Sequence, residues 1–247
     1  RTRCVGVLLA PDGCGPTHLA SQRQMGHRAL VAYERPDGTY NLHYTHWGGC
    51  NLRLKHQISE GMPFGEKYEG SREIYEELET ASSTYVPEKH RHKQTEVRLE
   101  PTAVGISIQD ALANYLVFHM HEAFYIVTRE FRVTAFRTFW LGFHTEAASV
   151  EESPSRGNGV ICTIRWYDGD PVGDGLLRGW FAGAKEVTAE LIDRDVFSEI
   201  QATTFLVERL LGKRHGRYEA YVQRADTNES RWYPSNYTAS PRTPRSK

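Results

Sequence analysis

The pattern of apolar and polar positions predicts a β-hairpin near the start of the regularly patterned part of the chain. Strand-forming residues occupy 27–33 and 39–47, and a turn sequence that contains Pro36 and Gly38 separates them. Proline presets φ for a tight turn, and glycine accepts the positive φ that many turns need. Two strand-like segments joined in this way are typical of an antiparallel hairpin.

A second strand-forming stretch covers residues 123–143, where aromatic and β-branched side chains dominate. A single strand of this length would be unusual, so we predict a hairpin that turns near Arg129 and Glu130. Another strand is predicted at 160–167, and the Asp and Gly residues of 168–175 predict the turn that follows it. These segments favour a mainly antiparallel sheet.

Apolar residues at spacings of three and four predict the helices. The expected helices are a short acidic one that begins at Ser71, one from Ser107 to His119, one over 176–192, and one that Asp195 caps and Gly212 ends. Residues 82–100 are polar and predict a long loop. The order of elements favours an α+β fold, a single domain with a mainly antiparallel sheet built from hairpins and helices packed on one face.

The two ends of the chain differ in composition from its centre. Residues 1–24 precede Met25, where the strong patterning begins, and we expect them to be an N-terminal extension outside the folded domain. Residues 224–247 are rich in Ser, Thr, Pro and Arg, and such a segment buries too little apolar surface to offset the entropy of ordering. The sequence therefore predicts one globular domain at 25–212 and a disordered basic tail at 224–247.

The overall composition is that of a globular protein, with 39% hydrophobic and 25% charged residues among 247. Because 30 Lys and Arg residues face 31 Asp and Glu residues, a generally basic nucleic-acid-binding protein is excluded, although a local basic patch stays open. No apolar run approaches the ~20 residues that cross a membrane, so we expect no membrane partner. Four cysteines without Cys-x-x-Cys spacing favour free thiols in a reducing, cytoplasmic compartment.

The densest group of potential metal ligands is the His-Met-His-Glu segment at 119–122. In an extended chain His119 and His121 point to the same face, where they could bind a divalent transition metal. Asp174 or a histidine of the first hairpin could supply a third ligand. Two histidines alone are more often one buried, hydrogen-bonded residue and one exposed residue, and this structural interpretation stays open beside the metal site.

Basic and aromatic residues alternate at 129–140. Arg132, Phe136 and Trp140 share one face of the predicted strand, where rings could stack on bases and a guanidinium could bind phosphate. With the basic tail, these residues could form an interface for single-stranded nucleic acid. The same alternation is also typical of a half-buried antiparallel strand.

Two smaller groups of residues could also carry chemistry. Arg178 is expected near the start of a helix, where it could bind an anion together with backbone amides, or could simply be a surface residue. Cys50, His46 and an acidic residue could form a nucleophilic triad, whereas Cys162 lies in the middle of a strand and is expected to be buried. No phosphate-binding loop and no Gly-x-Ser-x-Gly elbow occurs in the sequence.

Three stretches carry a resemblance to a known family. They are MGHRALVAYERPDGTYNLHYTHWG at 25–48, HEAFYIVTREFRVTAFRTFWLGF at 121–143 and IRWYDGDPVGDGLLRGWFAGAKEV at 164–187. Together they resemble a family of uncharacterised haloarchaeal proteins, a domain of unknown function, over about 25–211. The resemblance implies that the domain begins at Met25, and it implies no catalytic residue, since the family has no established activity.

The absence of a complete catalytic motif favours a non-catalytic cytoplasmic protein with a binding or accessory role. Its partner could be another protein or single-stranded nucleic acid. One alternative is a metal-dependent, hydrolase-like enzyme that uses His119 and His121. The other is a nucleic-acid-binding protein that uses the Arg and aromatic side chains of the strand at 129–140 and the basic tail.

Overall fold

A computed structural model describes residues 26–91, 94–143, 153–213, 218–227 and 229–235 of the chain. The strands in this part are β1 (Ala29–Glu34), β2 (Tyr40–Thr45), β3 (Pro101–Ile106), β4 (Ala123–Val127), β5 (Val133–Trp140), β6 (Gly159–Thr163), β7 (Arg165–Tyr167), β8 (Asp170–Val172), β9 (Ala220–Arg224) and β10 (Glu229–Tyr233). The helices are α1 (Leu54–Gln57), α2 (Ser71–Glu79), α3 (Glu88–Arg91), α4 (Ile108–Asp110), α5 (Asp174–Asp193) and α6 (Glu199–Lys213). The expectation for residues 1–24 lies outside the described residues.

Eight of these strands form one sheet in the order β10-β9-β6-β5-β4-β1-β2-β3. Neighbouring strands are antiparallel, except that β1 and β4 run parallel in the middle of the sheet. β7 and β8 pair only with each other and form a separate two-stranded ribbon. The predicted α+β fold with a mainly antiparallel sheet is confirmed, as are the hairpins β1–β2 and β4–β5.

The main helices all pack on one face of the sheet, which we call the helix face. Ala29 and Val31 of β1 contribute to an apolar core with α1 and α2, and Phe139 of β5 contributes to a second core with α5 and α6. The opposite face is covered by α4 and the π-helical turn Ala111–Tyr115, whose Leu112 is fully buried. A sheet with apolar side chains on both faces needs cover on both, and here a short segment supplies it on the second face.

The helix expected from Ser107 to His119 is much shorter than predicted. Ser107 caps it as expected, with its hydroxyl oxygen 3.0 Å from the backbone nitrogen of Asp110. α4 then passes into the π-helical turn, and the chain is extended at Leu116 because the backbone nitrogen of Phe118 bonds to the carbonyl of Ser155. Tertiary hydrogen bonding thus overrides the local helical pattern.

The last helix begins later than predicted and is capped by Ser198 instead of Asp195. Ser198 and Gln201 form a reciprocal capping box. The backbone nitrogen of Ser198 donates to Oε1 of Gln201 at 2.9 Å, and the backbone nitrogen of Gln201 donates to Oγ of Ser198 at 3.3 Å. Asp195 has a φ of 57° and lies in the turn before the helix. Gly212 lies inside α6, so it does not end the helix as expected.

Four strands, β3, β8, β9 and β10, lie where no strand was predicted. β3 begins at Pro101 and lies at the edge of the sheet, where a residue without a backbone N–H is tolerated. At the other edge, β10 pairs with β9, so the sheet extends past residue 212 and into the expected disordered tail. The pairing of Trp232 with Tyr221 and their stacked rings supply the contacts that the composition of the tail did not suggest.

Candidate functional site

Five polar or charged side chains meet at one end of the sheet, beside the first turns of α5. They are His27, Glu122, Arg137, Asp174 and Arg178, and we call them the Arg137 cluster. β1 and β4 are parallel and both begin at this end, which brings His27 and Glu122 together although they are 95 residues apart in sequence. β5 supplies Arg137, and α5 supplies Asp174 and Arg178.

The centre of the cluster is a buried ion pair between Arg137 and Asp174. Only 2% of the Arg137 side chain is exposed. Its Nε donates to both carboxylate oxygens of Asp174 at 2.9 Å, and Nη2 donates to Oδ2 at 2.6 Å. Asp174 is the first residue of α5, where the helix dipole also favours a negative charge. The guanidinium and the helix start are therefore fixed relative to each other.

A glycine turn after β2 closes one side of the cluster. The carbonyl oxygen of Gly49 accepts from Nη1 of Arg137 at 2.5 Å, and that of Gly48 accepts from the hydroxyl of Tyr125 at 2.5 Å. A Cβ at position 49 would lie 2.8 Å from the His27 carbonyl oxygen and 3.0 Å from the Cβ of Glu122. Glycine is required at this position because the turn is pressed directly against the cluster.

His27 and Glu122 form a partly exposed imidazole–carboxylate pair. Nδ1 of His27 lies 3.0 Å from both carboxylate oxygens, and the two side chains are 35% and 29% exposed. Among the described residues, Nε2 of His27 has no hydrogen-bond partner. A carboxylate at Nδ1 orients the ring and leaves Nε2 to bind a ligand or to exchange a proton.

Arg178 and Trp47 flank this pair on its open side. Nη2 of Arg178 lies 3.9 Å from Oε2 of Glu122, and 48% of the Arg178 side chain is exposed. The ring centroid of Trp47 lies 6.1 Å from that of His27, and Trp47 is 47% exposed. The accessible part of the cluster thus combines a guanidinium, an imidazole and an aromatic ring, while the Arg137–Asp174 pair lies beneath them.

The comparison with protein families covers this site. A family model described as a family of unknown function (DUF6735) matches residues 25–222, a range that contains the whole Arg137 cluster. The chain belongs to this family. No curated protein and no solved structure matches it. Membership of DUF6735 confirms the expected family of unknown function, and the role of the cluster has to be inferred from its chemistry.

Asp174, the third predicted metal ligand, lies apart from His119 and His121 in the DUF6735 chain. Asp174 is engaged with Arg137 on the helix face, whereas the His121 ring lies 6.3 Å from the ring of Tyr44, which packs on the opposite face. His119 packs against the indole of Trp140 at 5.5 Å. Across the described ranges, no group of three His, Cys, Asp or Glu side chains is arranged to hold a metal ion.

His121 is hydrogen-bonded to the backbone of its own segment. Its Nδ1 accepts a hydrogen bond from the backbone nitrogen of Val117 at 3.0 Å. The pKa of His121 is lowered to about 4, mainly by burial, and the nearby charges of Arg28, His119 and Arg156 contribute in the same direction. Two arginines beside this imidazole disfavour a bound cation, because like charges repel.

The predicted nucleic-acid residues are also separated from one another. Phe136 is fully buried, so its ring cannot stack on a base. Arg132 is exposed but precedes β5 and pairs with Glu130 at 3.1 Å, whereas Trp140 ends β5 and has the Lys185 ammonium 4.2 Å from its ring centroid. Arg132 and Trp140 therefore lie at opposite ends of one strand and form no common surface.

Three of the five cluster residues were not singled out as candidates from the sequence. His27 was assigned only to a strand, Arg137 only to the segment of alternating basic and aromatic residues, and Glu122 only to the histidine-rich segment. Arg178 does lie near the start of a helix, as predicted, and Cys162 is buried in β6 as expected. In the described part of the chain, no helix is long and apolar enough to cross a membrane.

Proposed function

We propose that this DUF6735 protein binds a small molecule with a carboxylate or phosphate group at the Arg137 cluster. The observation that carries the proposal is the position of Arg178. Its side chain is half exposed, and its Nη2 lies 3.9 Å from Oε2 of Glu122, the carboxylate that pairs with His27. On the buried side, Arg137 lies 3.9 Å from the same oxygen and is held by Asp174. This proposal makes specific the binding role that the sequence favoured.

The buried ion pair supports a role beyond stability. Removing two charges from water is costly, and an apolar pair of similar volume often stabilises a fold equally well. In this chain the pair fixes the sheet end, the start of α5 and the Gly49 turn, which are the three elements around His27 and Glu122. Rigid support of partly exposed polar groups is what a binding site requires.

The accessible groups favour an anionic ligand. A guanidinium binds the paired oxygens of a carboxylate or phosphate in a bidentate manner. In its imidazolium form, with Nδ1 bonded to Glu122, His27 could donate a second hydrogen bond from Nε2 to the same group, and the ring of Trp47 could cover a planar or apolar part of the ligand. Arg137 and Arg178 balance the charges of the two carboxylates of the cluster, so no excess negative charge opposes an incoming anion.

Inorganic phosphate and acetate are suitable first probes of this site. By titration calorimetry, we expect saturable binding to the wild-type chain and at least tenfold weaker binding to Arg178→Gln, because a charge-assisted hydrogen bond contributes about 1.5–3 kcal/mol. The fold of the variant should be unchanged, since the side chain of Arg178 is half exposed.

The matched control for this titration is Arg194→Gln. Arg194 follows α5 directly, is 69% exposed and pairs with Glu190, so its removal changes the net charge equally without touching the cluster. We expect wild-type affinity for this variant. An equal loss in both variants, or the absence of binding to the wild type, would refute the proposed site.

A cytoplasmic location, a haloarchaeal origin and a protein partner stay predictions.

A further inference from the structure

A cavity of about 270 Å³ lies between β6, the β7–β8 ribbon, α5 and α6. Its deeper wall is apolar and almost completely buried, and is formed by Cys162, Ile164 and Leu210 at 2%, 6% and 2% exposure. Protein interiors are packed closely and contain few voids larger than one water molecule. A space of this size, open to one side and lined by apolar side chains, is therefore large enough for a ligand.

The mouth of the cavity exposes aliphatic side chains. Leu176, at the start of α5, is 80% exposed, and Val172 of β8 is 42% exposed. Both lie beside the opening, so they extend the apolar surface from the cavity to the protein surface. A ligand that fills the cavity and covers these side chains would remove apolar area from water, which is favourable.

Among the described residues that line the cavity, one has a charged side chain, and it is positive. Arg165 of β7 is the cross-strand partner of Val172, and both line the opening. The neighbouring ribbon residue Trp166 points to the other side, where its ring packs against His56 at 5.1 Å and lies 5.4 Å from the Lys55 ammonium. The ribbon is thus held by α1 on one side and presents Arg165 to the cavity rim on the other.

We infer that this cavity binds an amphipathic anion, a short alkyl or aryl carboxylate whose apolar part enters the cavity and whose carboxylate pairs with Arg165. The volume lies just below the ~300–1,000 Å³ of pockets that hold drug-sized ligands, which fits a smaller molecule. The site shares no residue with the Arg137 cluster. It is therefore a second site, and it does not depend on the proposed function.

Octanoate is the probe for this site. 1-Octanol has the alkyl chain without the carboxylate, and acetate has the carboxylate without the long chain, so these two analogues separate the two contributions. The titrations use the Arg178→Gln variant, so that binding of a carboxylate at the Arg137 cluster does not interfere. We expect octanoate to bind more tightly than either analogue. From butanoate to octanoate, each added methylene should tighten binding about fourfold, as expected for about 0.8 kcal/mol per buried CH₂.

Leu210→Trp fills the cavity from its inner wall and should weaken octanoate binding at least tenfold. The matched control is Val187→Trp, which adds the same side chain at an exposed position of α5 that does not line the cavity. Arg165→Gln should lower the affinity for octanoate to that for 1-octanol and leave the affinity for 1-octanol unchanged. This rim substitution keeps the test valid if Leu210→Trp fails to fold.

Three results would overturn the inference. They are the absence of octanoate binding, equal binding by folded Leu210→Trp and Val187→Trp, and an octanoate affinity that Arg165→Gln does not change. A failure of phosphate to bind at the Arg137 cluster would leave this inference standing, because the two titrations report on different residues.

Discussion

Replacement of Asp174 by alanine should lower the free energy of unfolding by about 3–5 kcal/mol, because it leaves a buried guanidinium without the carboxylate that it bonds directly. The side chain of Arg137 is 2% exposed, and most of its short hydrogen bonds are donated to the two carboxylate oxygens of Asp174. The contacts that remain are weaker: Nη1 bonds to the carbonyl oxygens of Gly49 and Glu122, and the Glu122 carboxylate is 3.9 Å away and partly exposed. The loss is measured by chemical denaturation of the full chain.

Two further variants separate the ion pair from other effects. Asp193→Ala removes an exposed carboxylate from the last turn of the same helix and should change the free energy of unfolding by no more than about 0.5 kcal/mol. The double variant Arg137→Met/Asp174→Leu should recover most of the loss, because a buried apolar pair avoids the desolvation cost. A loss below about 1 kcal/mol in Asp174→Ala would contradict the described geometry.

Acid should destabilise the protein between pH 6.5 and 4 through two buried histidines. Burial lowers the pKa of His43 and of His121 from 6.5 to about 4. The unfolded chain therefore binds more protons than the folded chain in this window. The stabilisation is fully present above pH 6.5 and is lost as the pH falls towards 4, by roughly 3 kcal/mol for each histidine.

Urea denaturation at several pH values between 7.5 and 4.5 measures this effect. His43 donates from Nδ1 to the Arg98 carbonyl, and His121 accepts at Nδ1 from Val117, and an asparagine side chain can replace either contact. His43→Asn and His121→Asn should each flatten the pH dependence of the free energy of unfolding, whatever their stability at pH 7.5. Gly183→Ala alters an exposed helix position without a titrating group and should keep the wild-type slope. Wild-type slopes in both Asn variants would show that these imidazoles do not titrate as described.

Local signals were sufficient for much of the fold. Pro36 and Gly38 marked the first hairpin, and Ser71 and the capping residue Ser107 marked helix starts that the structure confirms. The strands that were not predicted lack such local signals. β3 contains Pro101 and Gly105, which usually argue against a strand, and β10 is stabilised by pairing with β9 and not by its own composition.

The site was harder to predict because its contacts are distant in sequence. Alternation placed Arg137 on the strand face opposite Phe136, and an arginine at a core-facing position is a signal for a buried ion pair. Its partner Asp174 follows 37 residues later, and no spacing rule connects the two. His27 and Glu122 meet only because β1 and β4 run parallel, whereas hairpin reasoning predicts antiparallel neighbours.

The proposed anion site lies between Arg178 and His27. The most direct test is a phosphate titration followed by NMR of the histidine ring protons and the arginine Nε–H groups of the full chain. The structure predicts that the signals of His27 and Arg178 shift saturably with one common dissociation constant, while those of the buried His43 do not change. Shifts spread evenly over exposed histidines and arginines, or no shift at His27 and Arg178, would contradict the proposed binding site.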